Sequence, residues 1–319
     1  MIGLAFGALA GLAAAGFVAT QVGARAIEAR WPATGRFVEV DGRRIHVQIR
    51  EAEGARRGDV VLIHGASGNS ADMMVPLAGP LTKAGFRVFA PDRPGHGWSE
   101  RADDDAASSP ARQAAVLRAA LSRLGVTRAS VVGHSWGATV AAALALDHVE
   151  FVQGLALLAP VALEWPGGVS WYYDVAATPV LGRLFAETLA LPFGWLALKG
   201  GVASVFAPQA APDDFIDATG VALVLRPDIF RANASDVASL KPYVRVQGPR
   251  LAEIAAPTVI VTGDHDSVVY THIHTDGAMA LIKGAKRIDL PGVGHSPHHA
   301  APDAVAAAIV AVAERAGER

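Results

Sequence analysis

The sequence contains no cysteine, which excludes disulfide bonds, zinc sites built from thiolates and a cysteine nucleophile. It also lacks a surplus of either charge, because 28 basic and 30 acidic side chains leave a formal net charge of -2. A nucleic-acid partner is therefore not expected, since binding to phosphates needs a basic surface. Only 18% of the 319 residues are charged and 51% are hydrophobic. A chain of this length and composition can bury a large core.

A stretch without charge covers residues 2–24 near the N-terminus. At about 1.5 Å per residue it is long enough to cross a bilayer core of about 30 Å, so we expect a membrane anchor over residues 1–30. The first charges, Arg25 and Arg30, follow the stretch and favour a cytoplasmic C-terminal domain, and hence the inner membrane of a bacterium. The alternative is a secretory signal peptide, because Ala24-Arg25-Ala26 resembles a cleavage site and would give an exported protein.

Strands alternate with helices through most of the remaining chain. Runs of β-branched and apolar residues predict strands at 36–40, 44–51, 60–63, 87–90, 129–133, 152–159, 257–262 and 286–290. Helical patterns fall at 71–84, 106–124, 138–146, 271–283 and 302–315. This alternation indicates a mostly parallel sheet with right-handed crossovers, and such sheets place their sites at the carboxyl ends of the strands.

The alternation stops between the sixth and seventh strands. Residues 161–255 are rich in proline and in aromatic side chains, and no strand can be recognised there. We expect a helical cap that supplies an apolar substrate pocket between two parts of a core, 36–160 and 256–319. The alternative is a separate helical domain without a catalytic role.

A nucleophile motif follows the fifth strand. The sequence Gly133-His134-Ser135-Trp136-Gly137 has the form G-x-S-x-G, with an apolar strand before it and an alanine-rich helix after it. A serine on such a tight turn projects its hydroxyl out of the fold, and the small glycines let the backbone bend. Ser135 is therefore the candidate nucleophile.

A serine hydroxyl needs a base to accept its proton and a third group to orient that base. His295 follows the last strand in a glycine-rich loop and is the candidate base. Two carboxylates, Asp264 and Asp266, follow the seventh strand; Asp266 lies further into the loop, while Asp264 is placed to cap the turn. Asp266 is the preferred acid, and Glu164 after strand six is the alternative.

The remaining histidines are weaker candidates. His134 neighbours Ser135, but adjacent side chains on such a turn point apart, and His64 and His96 lie in turns that suggest structural roles. A metal site would suit His295, His298 and His299, or His272 with His274. No set of carboxylates or cysteines accompanies them at ligand spacing, so no metal is predicted.

Taken together, these motifs resemble the α/β-hydrolase superfamily from about Arg36 onwards. The matching residues are His64-Gly65, Asp92 to Ser99, Gly133 to Gly137, Gly263 to Asp266 and Gly294-His295. The resemblance implies an eight-stranded, mostly parallel sheet with a helical cap inserted after strand six. It also implies an oxyanion hole formed by the backbone N–H groups of Ala66 and Trp136. The transmembrane-like N-terminal helix has no place in this fold.

The resemblance further implies a serine hydrolase that cleaves a carboxylic ester with an apolar acyl or alcohol part and needs no cofactor. Epoxide hydrolases and haloalkane dehalogenases of this family carry aspartate where this chain has Ser135, which argues against both. Carbon-carbon bond hydrolases and perhydrolases keep the same triad and remain alternatives. From another class, a non-catalytic binding protein is a further alternative. The expected partners are a small ester and the membrane, while the natural substrate and the oligomeric state are not given by the sequence.

Overall fold

The computed structural model describes residues 2–104 and 106–317, and for residues 2–9 it describes the backbone alone. An eight-stranded sheet forms its centre. The strands are β1 (Arg36–Val40), β2 (Arg43–Arg50), β3 (Gly58–Ile63), β4 (Phe86–Pro91), β5 (Ala129–His134), β6 (Val152–Leu158), β7 (Thr258–Gly263) and β8 (Lys286–Leu290). Each of the eight predicted strands overlaps one of these.

The strand order across the sheet is β1-β2-β4-β3-β5-β6-β7-β8. β2 pairs antiparallel with β1 and β4, and every other neighbouring pair is parallel. The parallel pairs place the ends of β3, β5, β7 and β8 at one edge, which is where the predicted site residues follow their strands. The prediction of a mostly parallel eight-stranded sheet is confirmed.

Helices cover both faces of the sheet, because the strands are apolar on both sides. The helices of the core are α2 (Ser70–Lys83), α3 (Pro110–Arg123), α4 (Trp136–Asp147), α10 (Thr271–Leu281), α11 (Pro297–Ala300) and α12 (Pro302–Gly317). Residues of α3 and α4 share one buried apolar cluster with the sheet, while α2 and α12 contribute to the other. The two clusters make a three-layered core.

The segment between β6 and β7 is helical, and we call residues 161–255 the insertion. Its helices are α5 (Trp171–Ala177), α6 (Leu181–Phe185), a π-helical turn (Ala186–Ala190), α7 (Leu191–Phe206), α8 (Phe215–Thr219), a 3₁₀ turn (Val221–Leu225), α9 (Pro227–Arg250) and a second 3₁₀ turn (Leu251–Glu253). It contains no strand in the described chain.

The N-terminal helix α1 (Ile2–Arg30) packs against the insertion. Thr20 and Ile27 are buried in this contact, and Gly16 lies so close to the insertion that an added Cβ would stand 2.6 Å from the carbonyl oxygen of Thr188. This contact was not predicted from the sequence. Small residues allow α1 to approach the insertion closely, and a pattern based on strands and crossovers does not register such a contact.

Candidate active site

Ser135 lies at the sharp turn between β5 and α4. Its backbone has φ 52° and ψ -118°, a conformation that costs free energy for a residue with a Cβ and persists only where the surroundings impose it. An added Cβ at Gly137 would overlap the carbonyl oxygens of Ile63 and His64, and one at Gly133 would stand 2.6 Å from the Cα of Ala138. The two glycines are therefore required by the close approach of neighbouring backbone as well as by the bend.

Three predicted residues meet at this turn. The Nε2 atom of His295 is 2.9 Å from the Oγ atom of Ser135, and the Nδ1 atom of the same ring is 2.7 Å from Oδ2 of Asp266. Ser135 and His295 are 8% and 4% exposed, and the side chain of Asp266 is fully buried. The geometry is that of a nucleophile, a base and an orienting acid connected by hydrogen bonds.

The two alternative acids lie elsewhere. Oδ1 of Asp264 accepts from the N–H of Gly292 at 2.6 Å and contacts His265, so it holds the turn as the sequence suggested. Glu164 pairs with Arg245 on the exposed face of the insertion. Neither hydrogen-bonds to His295 in the described part of the chain.

The loop after β3 approaches the turn at Ser135. Neither the N–H of Ala66 nor that of Trp136 donates to an acceptor among the described residues, so both are available to an added oxygen atom. The next residue, Ser67, has a positive φ of 59° and is held by Asn233 of α9. The Oδ1 atom of Asn233 accepts from the Ser67 N–H at 2.7 Å, and its Nδ2 donates to Ser67 Oγ at 3.1 Å.

Tyr173 lies beside this pair. Its burial, with Tyr172 next to it, raises the pKa of the Tyr173 hydroxyl above its ordinary value, so the phenol is neutral at physiological pH. Neither Asn233 nor Tyr173 could be assigned to the loop after β3 from the sequence. Both come from the insertion, and no motif marks which of its side chains pack over the loop after β3.

His134 was expected to point away from its neighbour Ser135, which made it a weak candidate for the base. Its Nε2 atom is instead 2.9 Å from the carbonyl oxygen of His295, so the ring supports the loop that carries the base. Burial lowers the pKa of both His134 and His298, which keeps these imidazoles neutral. A neutral His134 that donates from Nε2 has an unprotonated Nδ1, and this atom has no hydrogen-bond partner among the described residues.

Asp72, His134 and His298 could hold a metal ion, because one ligand atom from each lies within 4.8 Å of the others. His298 was a candidate ligand from the sequence, but no carboxylate stands at ligand spacing from it along the chain. Asp72 lies on α2, more than two hundred residues away in the chain, and only the packing of α2 against α11 brings the two together. Asp72 also pairs with His299, whose Nε2 is 2.9 Å from Oδ1.

A buried arginine joins the core to the insertion behind the site. Arg93 is fully buried, pairs with Asp236 of α9 at 2.7 Å and stacks on Trp136 with its guanidinium carbon 4.1 Å from the ring centroid. The Arg93 N–H donates to Nε2 of His64 at 2.9 Å. Burial, together with the charge of Arg93, lowers the pKa of His64 to about 4, so His64 is a neutral acceptor. This confirms its structural character.

The aromatic residues of the insertion divide into two groups. Phe206 and Phe215 are buried and pack edge to face, with centroids 5.0 Å apart. Trp171, Phe193 and Trp195 are 68%, 64% and 48% exposed to solvent. The role of these aromatics in a substrate pocket stays a prediction.

Comparison with known proteins agrees with this architecture. A model of the alpha/beta hydrolase fold matches residues 59–302. The chain belongs to the α/β-hydrolase family.

Its relatives within the family carry different names. The chain is 28% identical over 259 residues to a 2-hydroxy-6-oxononadienedioate/2-hydroxy-6-oxononatrienedioate hydrolase of Klebsiella pneumoniae, covering 79% of this chain and 85% of the relative. It is 30% identical over 298 residues to the magnesium-chelatase 30 kDa subunit of Rhodobacter capsulatus, covering 90% and 97%. Among solved structures, a membrane phospholipase A superposes with a TM-score of 0.66 at 23% identity, covering 100% of this chain and 96% of its own. That last likeness concerns the fold alone.

Proposed function

We propose that this α/β hydrolase is a serine hydrolase that cleaves carboxylic esters with an apolar acyl or alcohol part. The observation that carries the proposal is the hydrogen-bonded sequence from Ser135 Oγ through His295 to Asp266, with distances of 2.9 and 2.7 Å. A structural role explains this arrangement poorly, because it stands on a strained turn at the sheet edge where the family places its sites.

In the proposed reaction, His295 Nε2 accepts the hydroxyl proton while Ser135 Oγ bonds to the ester carbonyl carbon. The tetrahedral intermediate collapses, the bond to the alcohol oxygen breaks, and His295 returns the proton to that oxygen. An acyl-enzyme remains on Ser135. Water then attacks it by the same route, which releases the acid and restores the hydroxyl. Asp266 keeps the Nδ1 proton in place throughout and stabilises the imidazolium.

The backbone N–H groups of Ala66 and Trp136 are proposed as the oxyanion hole. Negative charge develops on the carbonyl oxygen only as the reaction proceeds, so donors fixed in advance favour the transition state, typically by about 3 kcal/mol each. Asn233 acts here as a positioning residue, because its two hydrogen bonds hold Ser67 directly after Ala66. No cofactor takes part.

A carbon-carbon bond hydrolase is the second candidate, favoured by the name of the Klebsiella pneumoniae relative. A substrate with free carboxylates would need unpaired cations near the site. Three arginines of the insertion, Arg183, Arg226 and Arg245, already pair with Glu187, Glu28 and Glu164. Ester cleavage is therefore the better-supported proposal, and Arg231, which has no ion pair among the described residues, is the residue on which the alternative depends.

We also propose that α1 anchors the protein in a membrane, in a bacterium the inner membrane. Within residues 10–30 of this helix, the most apolar run of 18 residues has a mean hydropathy of 1.2, and only 11% of its residues are buried against the rest of the chain. Helices of this kind also occur as signal sequences, in which case the mature protein would be exported. The length of the uncharged run, residues 2–24, supports the anchor.

The test is hydrolysis of a series of p-nitrophenyl esters of graded acyl length by the wild type and by Ser135→Ala. We expect Ser135→Ala to fall to the background rate, about 10⁶-fold, and to lose labelling by a fluorophosphonate while its Tm is unchanged. Ser130→Ala is the matched control, because it removes a buried hydroxyl from the same strand. Activity in Ser135→Ala comparable to the control would refute the proposal, and turnover of a vinylogous diketone with no ester cleavage would favour the second candidate.

A further inference from the structure

The exposed large apolar side chains of the described residues are concentrated on two segments. Of 18 such side chains, four lie on α1 and eight lie between Trp171 and Leu196 of the insertion. The second group includes some of the most exposed apolar side chains of the protein, Val180, Leu181, Leu184, Phe193, Trp195 and Leu196, which we call the apolar face of the insertion. Large exposed apolar side chains concentrated in this way indicate a site of interaction, because water solvates them unfavourably.

The helical segment that carries most of this face has a composition suited to lipid. Residues 181–206 form one continuous helical segment through α6, the π-helical turn and α7. The most apolar run of 18 residues in this segment has a mean hydropathy of 1.5, and only 17% of its residues are buried in the protein. Arg183 and Glu187 neutralise one another through a 2.7 Å contact, which leaves Lys199 as the remaining charge. A core helix of a water-soluble protein would instead be mostly buried.

The helix α1 lies beside the insertion, and its position indicates what covers the apolar face. The part of α1 from Gly16 to Ile27 lies against the insertion, where Gly23 contacts Leu191 and Gly16 contacts Thr188. These residues belong to the apolar stretch of residues 10–30, the candidate membrane span. If that stretch lies in the bilayer, the side chains of the insertion packed beside it lie at the same depth in the bilayer.

We propose that the apolar face of the insertion enters the same bilayer as α1, so that the protein holds the membrane with two elements. This inference rests on the proposed anchor. Trp195 and Trp171 fit such a position, because tryptophan is enriched at the boundary between hydrocarbon and head groups.

The absence of cysteine provides a direct test. The full-length variants Leu12→Cys, Leu196→Cys and Val149→Cys each carry a single thiol for a nitroxide label in phosphatidylcholine and phosphatidylglycerol vesicles. All three positions are more than half exposed, so labelling should leave the fold intact. Leu12 reports on the anchor and Leu196 on the apolar face. Val149 precedes β6, at the sheet edge opposite the site, and is the control.

We expect the nitroxide label at Leu196 and at Leu12 to collide more often with oxygen than with a water-soluble nickel complex, as a label in lipid does. At Val149 we expect the reverse, as for a label in water. Water-like accessibility at Leu196 with lipid-like accessibility at Leu12 would overturn the inference and leave the anchor intact. Spin-spin broadening at Leu196 would mean that a second copy covers the face, and would also overturn it. Water-like accessibility at Leu12 would refute the anchor and the inference together. Ester hydrolysis by the same unlabelled variants tests the hydrolase proposal separately.

A second measurement tests whether insertion of the apolar face into the bilayer affects ester hydrolysis. In Leu196→Asp, the ratio of activity on a long-chain ester dissolved in vesicles to activity on a short water-soluble ester should fall about tenfold or more, because a carboxylate is costly within hydrocarbon. Val149→Asp introduces the same charge at the control position and should keep the wild-type ratio. Equal ratios in the two variants would overturn the inference.

Discussion

Replacing Asp266 by asparagine alters the site at a single atom and should remove almost all activity. Oδ1 of Asp266 accepts from the N–H groups of Val268 and Val269 at 2.9 and 3.0 Å, and the amide oxygen of asparagine can keep both bonds. The other carboxylate oxygen is 2.7 Å from Nδ1 of His295. In Asp266→Asn an NH₂ group takes its place, and two donors cannot face one another.

His295 must then carry its proton on Nε2, which directs a donor at Ser135 Oγ in place of the acceptor that the reaction requires. The same loss of the reactive tautomer in serine proteases lowers kcat by about 10⁴-fold. That factor corresponds to about 5 kcal/mol of lost transition-state stabilisation. We expect a similar loss in kcat for Asp266→Asn, with KM for a soluble p-nitrophenyl ester little changed, because ester binding does not involve Asp266.

Asp264→Asn is the matched control, two residues away in the same loop. Asp264 contacts His265 and Gly292 but not His295, so we expect kcat within about threefold of the wild type. Stopped assays at pH 7.5, with circular dichroism to verify folding, decide the ranking. A reversed ranking would transfer the acid role to Asp264, and full activity in both variants would refute the triad.

Two further predictions concern stability. Burial is the main reason why the pKa of His274 is lowered to about 4. Between pH 6.5 and pH 4 the unfolded chain therefore binds a proton that the folded chain does not, so the free energy of unfolding falls as the pH falls through that interval. His274→Asn keeps an acceptor for the N–H groups of Ala162 and Leu163 and should flatten the decline of Tm, whereas an unchanged slope would contradict the assignment. Asp236→Ala leaves Arg93 buried without its carboxylate and should cost about 3–5 kcal/mol in chemical denaturation. Glu164→Ala breaks an exposed pair with Arg245 and should leave the denaturation midpoint unchanged, so equal midpoints in the two variants would contradict this reasoning.

Several features of the site were predictable because they depend on local order along the chain. Ser135, Asp266 and His295 each follow a strand, and parallel strands bring their carboxyl ends to one edge whatever the rest of the chain does. The choice of Asp266 over Asp264 rested on its position further into the loop, and it is Asp266 that the structure places beside His295. The catalytic assignment of these residues stays a prediction.

Other features depend on contacts between distant segments, and sequence patterns carry no information about them. Asn233 holds Ser67 across 166 residues of chain, and Asp72 reaches His299 across 227. The partial exposure of Trp195 could not be predicted either, because an aromatic residue in a helix without clear amphipathic order fits a pocket and a surface equally well. The contact between α1 and the insertion also joins segments that are distant in the chain, and it was missed for that reason.

The helix α7 carries part of the apolar face and also contacts the candidate base, His295. It is 16 residues long, and near its C-terminal end the carbonyl oxygen of Val205 accepts from the N–H of His295 at 3.2 Å. A rigid helix of this length measures about 24 Å, so a tilt of about 5° about its N-terminal end would move that carbonyl by about 2 Å, more than the hydrogen bond tolerates. With α7 seated in lipid, the thickness and lateral pressure of the bilayer would act on the alignment of the proton acceptor. The composition of the membrane would then set the turnover rate as an allosteric effector does, without occupying any pocket.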